Sequence, residues 1–420
     1  MPVPSNPPHP DQSDRSTASR RSIFTGWRQA LPVSLICLPL LWLRVQLLLT
    51  PLPLFDFMSY WVAGRFYLAG ANPYAPAAMW PIEKALGWTG PPLVMLNPPW
   101  SLVFVAPLGL VSFQAAHYVC LVLSLALEAT SFLMLWRYFG GEKSKQWIAL
   151  ALFATLLPAG VAEHAGQVTP LMLAGLTAFL YALRHQRYLL AGACLLPLGL
   201  KPHLLWLALL AIVLWAAQNH KWQLIIGAIV TYASATLAAI AYNHNTLGYL
   251  HGTTANAAMV TVCGVGGALR SIFGFEHAWL QFVPMAVGLP WFARYWMKHR
   301  RDWSWQQHLP MLLLVSIGTA PYFWAHDFIL AVPALISLAV AFSRTRTNWI
   351  GVSALYLLAQ FAISEASVIS GSKAWMATAS LVWILLYMMG TASLTKEQQA
   401  LADPNTAPLT LQPHHTSGLA

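Results

Sequence analysis

The chain has 420 residues, 57% of them hydrophobic and only 9% charged, with a mean hydropathy of +0.56. A soluble protein carries about 25% charged residues, so an ordinary soluble domain is excluded. Apolar runs recur from Leu31 to Gly390 and point to an all-α, polytopic membrane protein. A net charge of +10 in such a chain reflects Lys and Arg in cytoplasmic loops and implies no nucleic-acid partner.

Residues 1–28 are rich in Pro, Ser and Arg and read as a disordered cytoplasmic tail. The first apolar run starts too late and runs too long for a cleaved signal peptide, so a retained helix is expected over 30–50. Further helices are expected at 114–138, 146–160, 168–184, 187–201, 203–218, 221–242, 279–297, 308–324, 327–343, 348–367 and 374–392. Residues 29–392 thus form one transmembrane domain of about 12 spanning helices, and 393–420 form a second disordered cytoplasmic tail. The cysteines, Cys37, Cys120, Cys194 and Cys263, are scattered and suggest neither a disulfide framework nor a Cys-x-x-Cys metal site.

The segment "NPPWSLVFVAPLGL" from Asn97 to Leu110 is apolar, but at about 14 residues it is below the ~20 needed to span. Read as re-entrant or interfacial, it sends the loops carrying Arg184, Arg187, Lys221, Lys298, Arg300, Arg301, Arg344 and Arg346 to the cytoplasm, together with both termini. Residues 51–113 then form an outer loop. Within it, "FMSYWVAGRFYLAG" reads as an amphipathic juxtamembrane helix with Arg65 snorkelling at the headgroups. Gly70 and Asn72-Pro73 end that helix.

Asp56 stands at its start, open to a role as helix cap or as a reactive carboxylate. The same threading puts Glu163-His164, Lys201-Pro202-His203, Arg270 and His326-Asp327 outside. Polar groups at membrane depth are costly and mark functional candidates. Lys201 and His326 are candidates for an anionic group of a ligand, and Asp327 reads as a cap. Glu128 falls mid-helix with no legible partner. The loop 243–278, with Gly264, Gly266 and Gly267, matches no phosphate-binding loop. The chain has no GxxxxGK[ST] for an ATP-driven pump, no Asp-x-Asp metal site in an outer loop, and no transporter-type repeat.

Six pieces in order carry a resemblance: Asp56 with Tyr60, Gly70 with Asn72-Pro73-Tyr74, "NPPWSLVFVAPLGL", "GQVTPLMLAGL", "LKPHLLW" and "SIGTAPYFWAHDFIL". Together they resemble the integral-membrane glycosyltransferases of the GT-C fold. More narrowly they resemble glycosyltransferase family 87, which includes mannosyltransferases that use polyprenol-phosphate-mannose. The resemblance implies a hexosyltransferase, mannose being the implied sugar. Its donor is a polyprenyl-phosphate sugar, its acceptor a lipid or glycan, and its site faces outside or periplasm from the inner (plasma) membrane. Asp56 takes the place of the family's catalytic carboxylate and His326 that of its late histidine. Tyr60, Arg65, Glu163, His164, Gln167, Lys201, His203 and Arg270 complete the expected substrate-binding set. One carboxylate suffices as general base for an inverting transfer, with no metal and no cofactor in the scheme. The competing class is a transporter or flippase of a lipid-linked sugar. It would place ionisable residues along a midplane route, where the sequence offers only Arg44 and Glu128. A noncatalytic partner in an envelope complex is a third reading.

Overall fold

The structure is a computed structural model that describes residues 37–49, 55–250, 264–344, 356–357, 360 and 380–392. Both expected tails, residues 251–263 of the polar loop and most of the expected helix 348–367 lie outside the described residues. Within them every regular element is helical. In chain order the helices are α1 (Cys37–Leu49), α2 (Phe55–Leu68), α3 (Pro76–Ala85), α4 (Phe113–Tyr138), α5 (Gln146–Thr155), α6 (Leu157–Ala165) and α7 (Thr169–Arg184). They continue with α8 (Tyr188–Ala193), α9 (Trp206–Gln218), α10 (Trp222–Tyr242), α11 (Val265–Phe273), α12 (Val283–His299), α13 (Trp305–Gly318), α14 (Val332–Phe342) and α15 (Ser380–Ala392). Local chemistry sets many starts. Ser112 Oγ accepts the Ala115 N–H at 3.3 Å to cap α4, and α6, α7, α12 and α14 each carry proline in the first turn.

Three described helices are long and apolar enough to cross a membrane: α4, α10, and Ala325–Phe342, in which a 3-10 turn runs into α14. A fourth crossing is available if α5 and α6, bent by 52° at Leu156, count as one broken span. Proline at the start of α6 breaks the single helix expected over 146–160. Likewise, the helix expected over 187–201 is α8 followed by a 3-10 turn, Leu196–Leu200. The remaining apolar helices, among them α1, α7, α9 and α15, have 10–17 residues.

Short helices must be held by close packing. A methyl group on Gly192 of α8 would collide with the Leu224 carbonyl of α10, and one on Gly227 with the Leu189 carbonyl, so the two backbones touch as in small-residue membrane interfaces. Neither backbone can move aside cheaply. Gly192→Ala is therefore expected to destabilise the protein by about 1–3 kcal/mol, read as a lower thermal midpoint in detergent.

The helix expected to be amphipathic is instead buried nearly all round. Residues 57–64 of α2 and Tyr67 are buried, while Arg65 is exposed. The cause is the segment Pro99–Leu110, which lies directly on α2. A methyl group on Gly64 would sit 2.6 Å from the Val105 carbonyl oxygen, and one on Gly109 2.6 Å from the Arg65 nitrogen. Without side chains at these two positions the backbones meet, and the aromatic face of α2 becomes core.

A second buried feature ties α1 to the bundle. The Arg44 guanidinium donates to Glu128 Oε2 at 3.1 Å and to both oxygens of Glu163. It also donates to the Phe153 carbonyl and lies 4.6 Å from the centre of the Phe153 ring. Both carboxylates are fully buried and the arginine nearly so.

Candidate functional site

The carboxylate at the start of α2 does not stand alone. Asp56 lies in the first turn of α2, where the helix N-terminus favours an anion. Its Oδ2 accepts a hydrogen bond from Gln167 Nε2. Gln167 is buried and reaches Asp56 because α6 stops abruptly. Gly166 takes the left-handed conformation at φ 64°, and the Gln167 N–H folds back to the Ala162 carbonyl at 2.8 Å. A side chain at Gly166 would strike Phe57, so the glycine also lets α2 and this turn close on each other.

The cation arrives on a break between two 3-10 turns, Leu196–Leu200 and Pro202–Leu204. Lys201 Nζ lies 2.9 Å from Asp327 Oδ1 and 3.1 Å from His326 Nε2. An ammonium only donates, so His326 accepts through Nε2 and carries its proton on Nδ1. The other Asp327 oxygen accepts the Trp324 N–H at 2.8 Å. The His203 ring lies on Tyr322 with centroids 4.1 Å apart. Tyr60, one helical turn from Asp56, is buried.

The electrostatics follow from this packing. Burial pushes the Asp56 carboxyl above the usual carboxylate range, opposed by the Lys201 ammonium and the Gln167 hydrogen bond and reinforced by Asp327. Burial brings His203 down to about 4, so it is neutral near pH 7. Tyr60 is pushed well up, first by burial and then by Asp56. The group thus combines an oriented, desolvated carboxylate with a paired ammonium and neutral imidazoles.

The structure brings Asp56, Tyr60, Gln167, Lys201, His203 and His326 into this one neighbourhood. Other expected members lie in other surroundings. Glu163 belongs to the Arg44 cluster. His164 lies against the Leu47 backbone of α1, with its Nε2 buried and unpartnered among the described residues. Arg65 lies exposed with its guanidinium 5.1 Å from the Trp61 ring centre. Arg270 is buried and donates to the Phe275 carbonyl at 2.6 Å and 3.2 Å, closing the turn after α11.

Two contributions escaped sequence reasoning. Asp327 binds Lys201 as well as capping its own turn. The "NPPW" stretch holds the lysine-bearing turn from behind: Asn97 Nδ2 donates to the Leu200 carbonyl at 3.0 Å and Trp100 Nε1 to the Gly199 carbonyl at 3.1 Å. Tyr74 Oη in turn donates to the Asn97 carbonyl at 3.1 Å. The usable signal was an Asn and a Trp flanking two prolines that fix the backbone between them.

No curated protein and no solved structure matches the chain. The family model for glycosyltransferase family 87 matches residues 95–317, a stretch that contains Gln167, Lys201 and His203 and lies between Asp56 and His326. That match spans more than half the chain, and with it this helical membrane protein belongs to glycosyltransferase family 87.

Proposed function

We propose that the protein transfers a hexose, with mannose the first candidate, from a polyprenyl-phosphate sugar to a lipid or glycan acceptor. The transfer takes place on the outer face of the inner membrane. The observation that carries this reading is the placement of Asp56, oriented by Gln167, within electrostatic reach of Lys201, whose ammonium touches His326. Asp56 takes the proton of the acceptor hydroxyl as that oxygen attacks the anomeric carbon. Attack from the face opposite the leaving group inverts the centre, so a β-linked donor gives an α-linked product. The transition state is oxocarbenium-like and is favoured by a nearby anion. Lys201 and His326 receive the leaving phosphate, whose charge grows as the bond breaks. No metal is asked of this scheme.

The membrane arrangement that goes with it is multi-pass, with about 12 spans, the Pro99–Leu110 segment at the outer interface and the basic loops inside. An apolar groove of about 260 Å³, lined by Tyr67, Leu68, Leu102, Ala106, Ala235 and Ala239 among others, supports a donor that carries a hydrocarbon chain. The Arg44–Glu128–Glu163 cluster disfavours the transporter reading. The ionisable residues expected along a midplane route are closed on one another.

The direct test is incubation of membranes containing the protein with radiolabelled polyprenyl-phosphate hexoses, followed by analysis of lipids and glycans. Label passing from one of them to an acceptor is the expected result; no transfer from any overturns the reading. In the same assay Lys201→Ala and His326→Ala are expected to lower kcat/KM for donor by about 10–100-fold, the worth of a hydrogen bond to a charged group. Unchanged kinetics at limiting donor in both variants moves the phosphate site elsewhere.

A further inference from the structure

We propose that Asp327 is a positioning residue of the transfer site, whose one oxygen fixes the Lys201 ammonium opposite Asp56 while the other holds the turn that presents His326. This deepens the glycosyl-transfer reading and rests on it for the roles of Asp56 and Lys201. A helix cap uses a single carboxylate oxygen, and Asp327 Oδ2 does that for the Trp324 N–H at 2.8 Å. Oδ1 is the surplus. It lies 2.9 Å from Lys201 Nζ and 3.4 Å from His326 Nε2, and the side chain is essentially sealed from solvent. A buried carboxylate left unpaired is costly, so the ammonium is held there, on a turn whose other side is pinned by Asn97 and Trp100.

The pair also acts on the base. Groups facing Asp56 are Lys201, Asp327, Tyr60 and the Gln167 amide. Those facing Asp327 are Lys201, His326, His203, Tyr322 and Tyr60. The imidazoles are neutral in this arrangement, so the charges that act on Asp56, beside the upward push of burial, are one cation and one further anion. Neutralising Asp327 removes the anion and leaves the cation uncompensated. Both changes make Asp56 a weaker base.

The variant to make is Asp327→Asn in the full-length protein. The amide oxygen still accepts the Trp324 N–H, so the cap survives, while the charge is gone. Three results are expected. The kcat/KM for donor falls about tenfold or more. The acid limb of the pH–kcat profile moves to lower pH, with a lower plateau. The double variant with Lys201→Met loses clearly less than the sum of the two single losses, because Asp327 acts largely through that lysine. A purely capping residue gives a wild-type profile and losses that add to those of Lys201→Met, and either outcome overturns the proposal. Asp327→Ser, which keeps a capping oxygen without charge, serves if the asparagine variant folds poorly. Failure of both to fold assigns Asp327 to the fold alone and overturns the proposal too. A readout without substrate separates this idea from the glycosyl-transfer reading: acylation of Lys201 by an amine-reactive ester, followed by peptide mass spectrometry. Several-fold faster labelling in Asp327→Asn is expected, and an unchanged rate sinks the positioning role whatever reaction the protein performs.

Discussion

Asp56→Asn is expected to lower turnover by ~10²-fold or more with expression and thermal stability near wild type. The asparagine oxygen can still accept the Gln167 amide hydrogen and sit at the start of α2. It cannot take a proton. Asp56→Glu is also expected to be poor. The extra methylene moves the base by roughly 1 Å, enough to spoil an attack geometry, and the packing of Phe57 against Gly166 leaves the helix no freedom to compensate. Because burial raises the Asp56 carboxyl, wild-type turnover should fall as pH is lowered through a value above that of an ordinary aspartate. That acid limb should be missing from the residual rate of Asp56→Asn. Label-transfer kinetics across pH, alongside melting curves, test these points together. Unfolding of Asp56→Asn would assign the residue to capping, and full activity would remove it from the mechanism.

Arg44→Met is expected to be the most damaging single change to folding. Among the described residues the guanidinium is the one cation in contact with two sealed carboxylates, Glu128 and Glu163. Its removal leaves two buried carboxyl groups without the donor they share, in a low-dielectric setting. Breaking a buried pair in this way costs about 3–5 kcal/mol, against a total stability of about 5–15 kcal/mol for a typical domain. Glu163→Gln should behave in the opposite manner. The cluster has one cation for two carboxylates, so neutralising one of them leaves a matched pair and changes stability little. Size-exclusion profiles of detergent extracts after graded heating distinguish the two variants. Equal damage from both, or tolerance of Arg44→Met, would remove the cluster from the stability of the bundle.

This asymmetry was invisible in the sequence. Arg44 lies 84 positions from Glu128 and 119 from Glu163, and no local pattern links positions so far apart. Hydropathy alone located the long helices α4 and α10 to within a residue or so, because a continuous apolar run needs no partner to be recognised. The shortness of the 97–110 segment was legible for the same reason. Its destination was not. Gly64 and Gly109 look like ordinary small residues until two backbones are seen to meet there, and α2 reads as a surface helix until that segment covers it. At the site, the residue types were legible as costly polar groups on one side of the threading. Which of them meet was not: Arg65 and Arg270 have the same charge as Lys201, and only the folded chain shows each of the two engaged elsewhere. Asp327 was readable as a cap because capping is local. Its second bond spans 126 positions.

The contact of Gly64 with Gly109 has a mechanical consequence. It fastens the helix that carries Asp56 to the segment whose Asn97 and Trp100 clasp the turn before Lys201. Asp56 and Lys201 are therefore mounted on one stiff chassis, and thermal breathing of the surrounding bundle shifts them together. Under the proposed transfer, the distance a sugar would bridge between Asp56 and Lys201 is fixed like the jaw of a gauge. Adaptation to a different substrate would have to come from the walls that touch the sugar's outer rim, leaving that gap as it is.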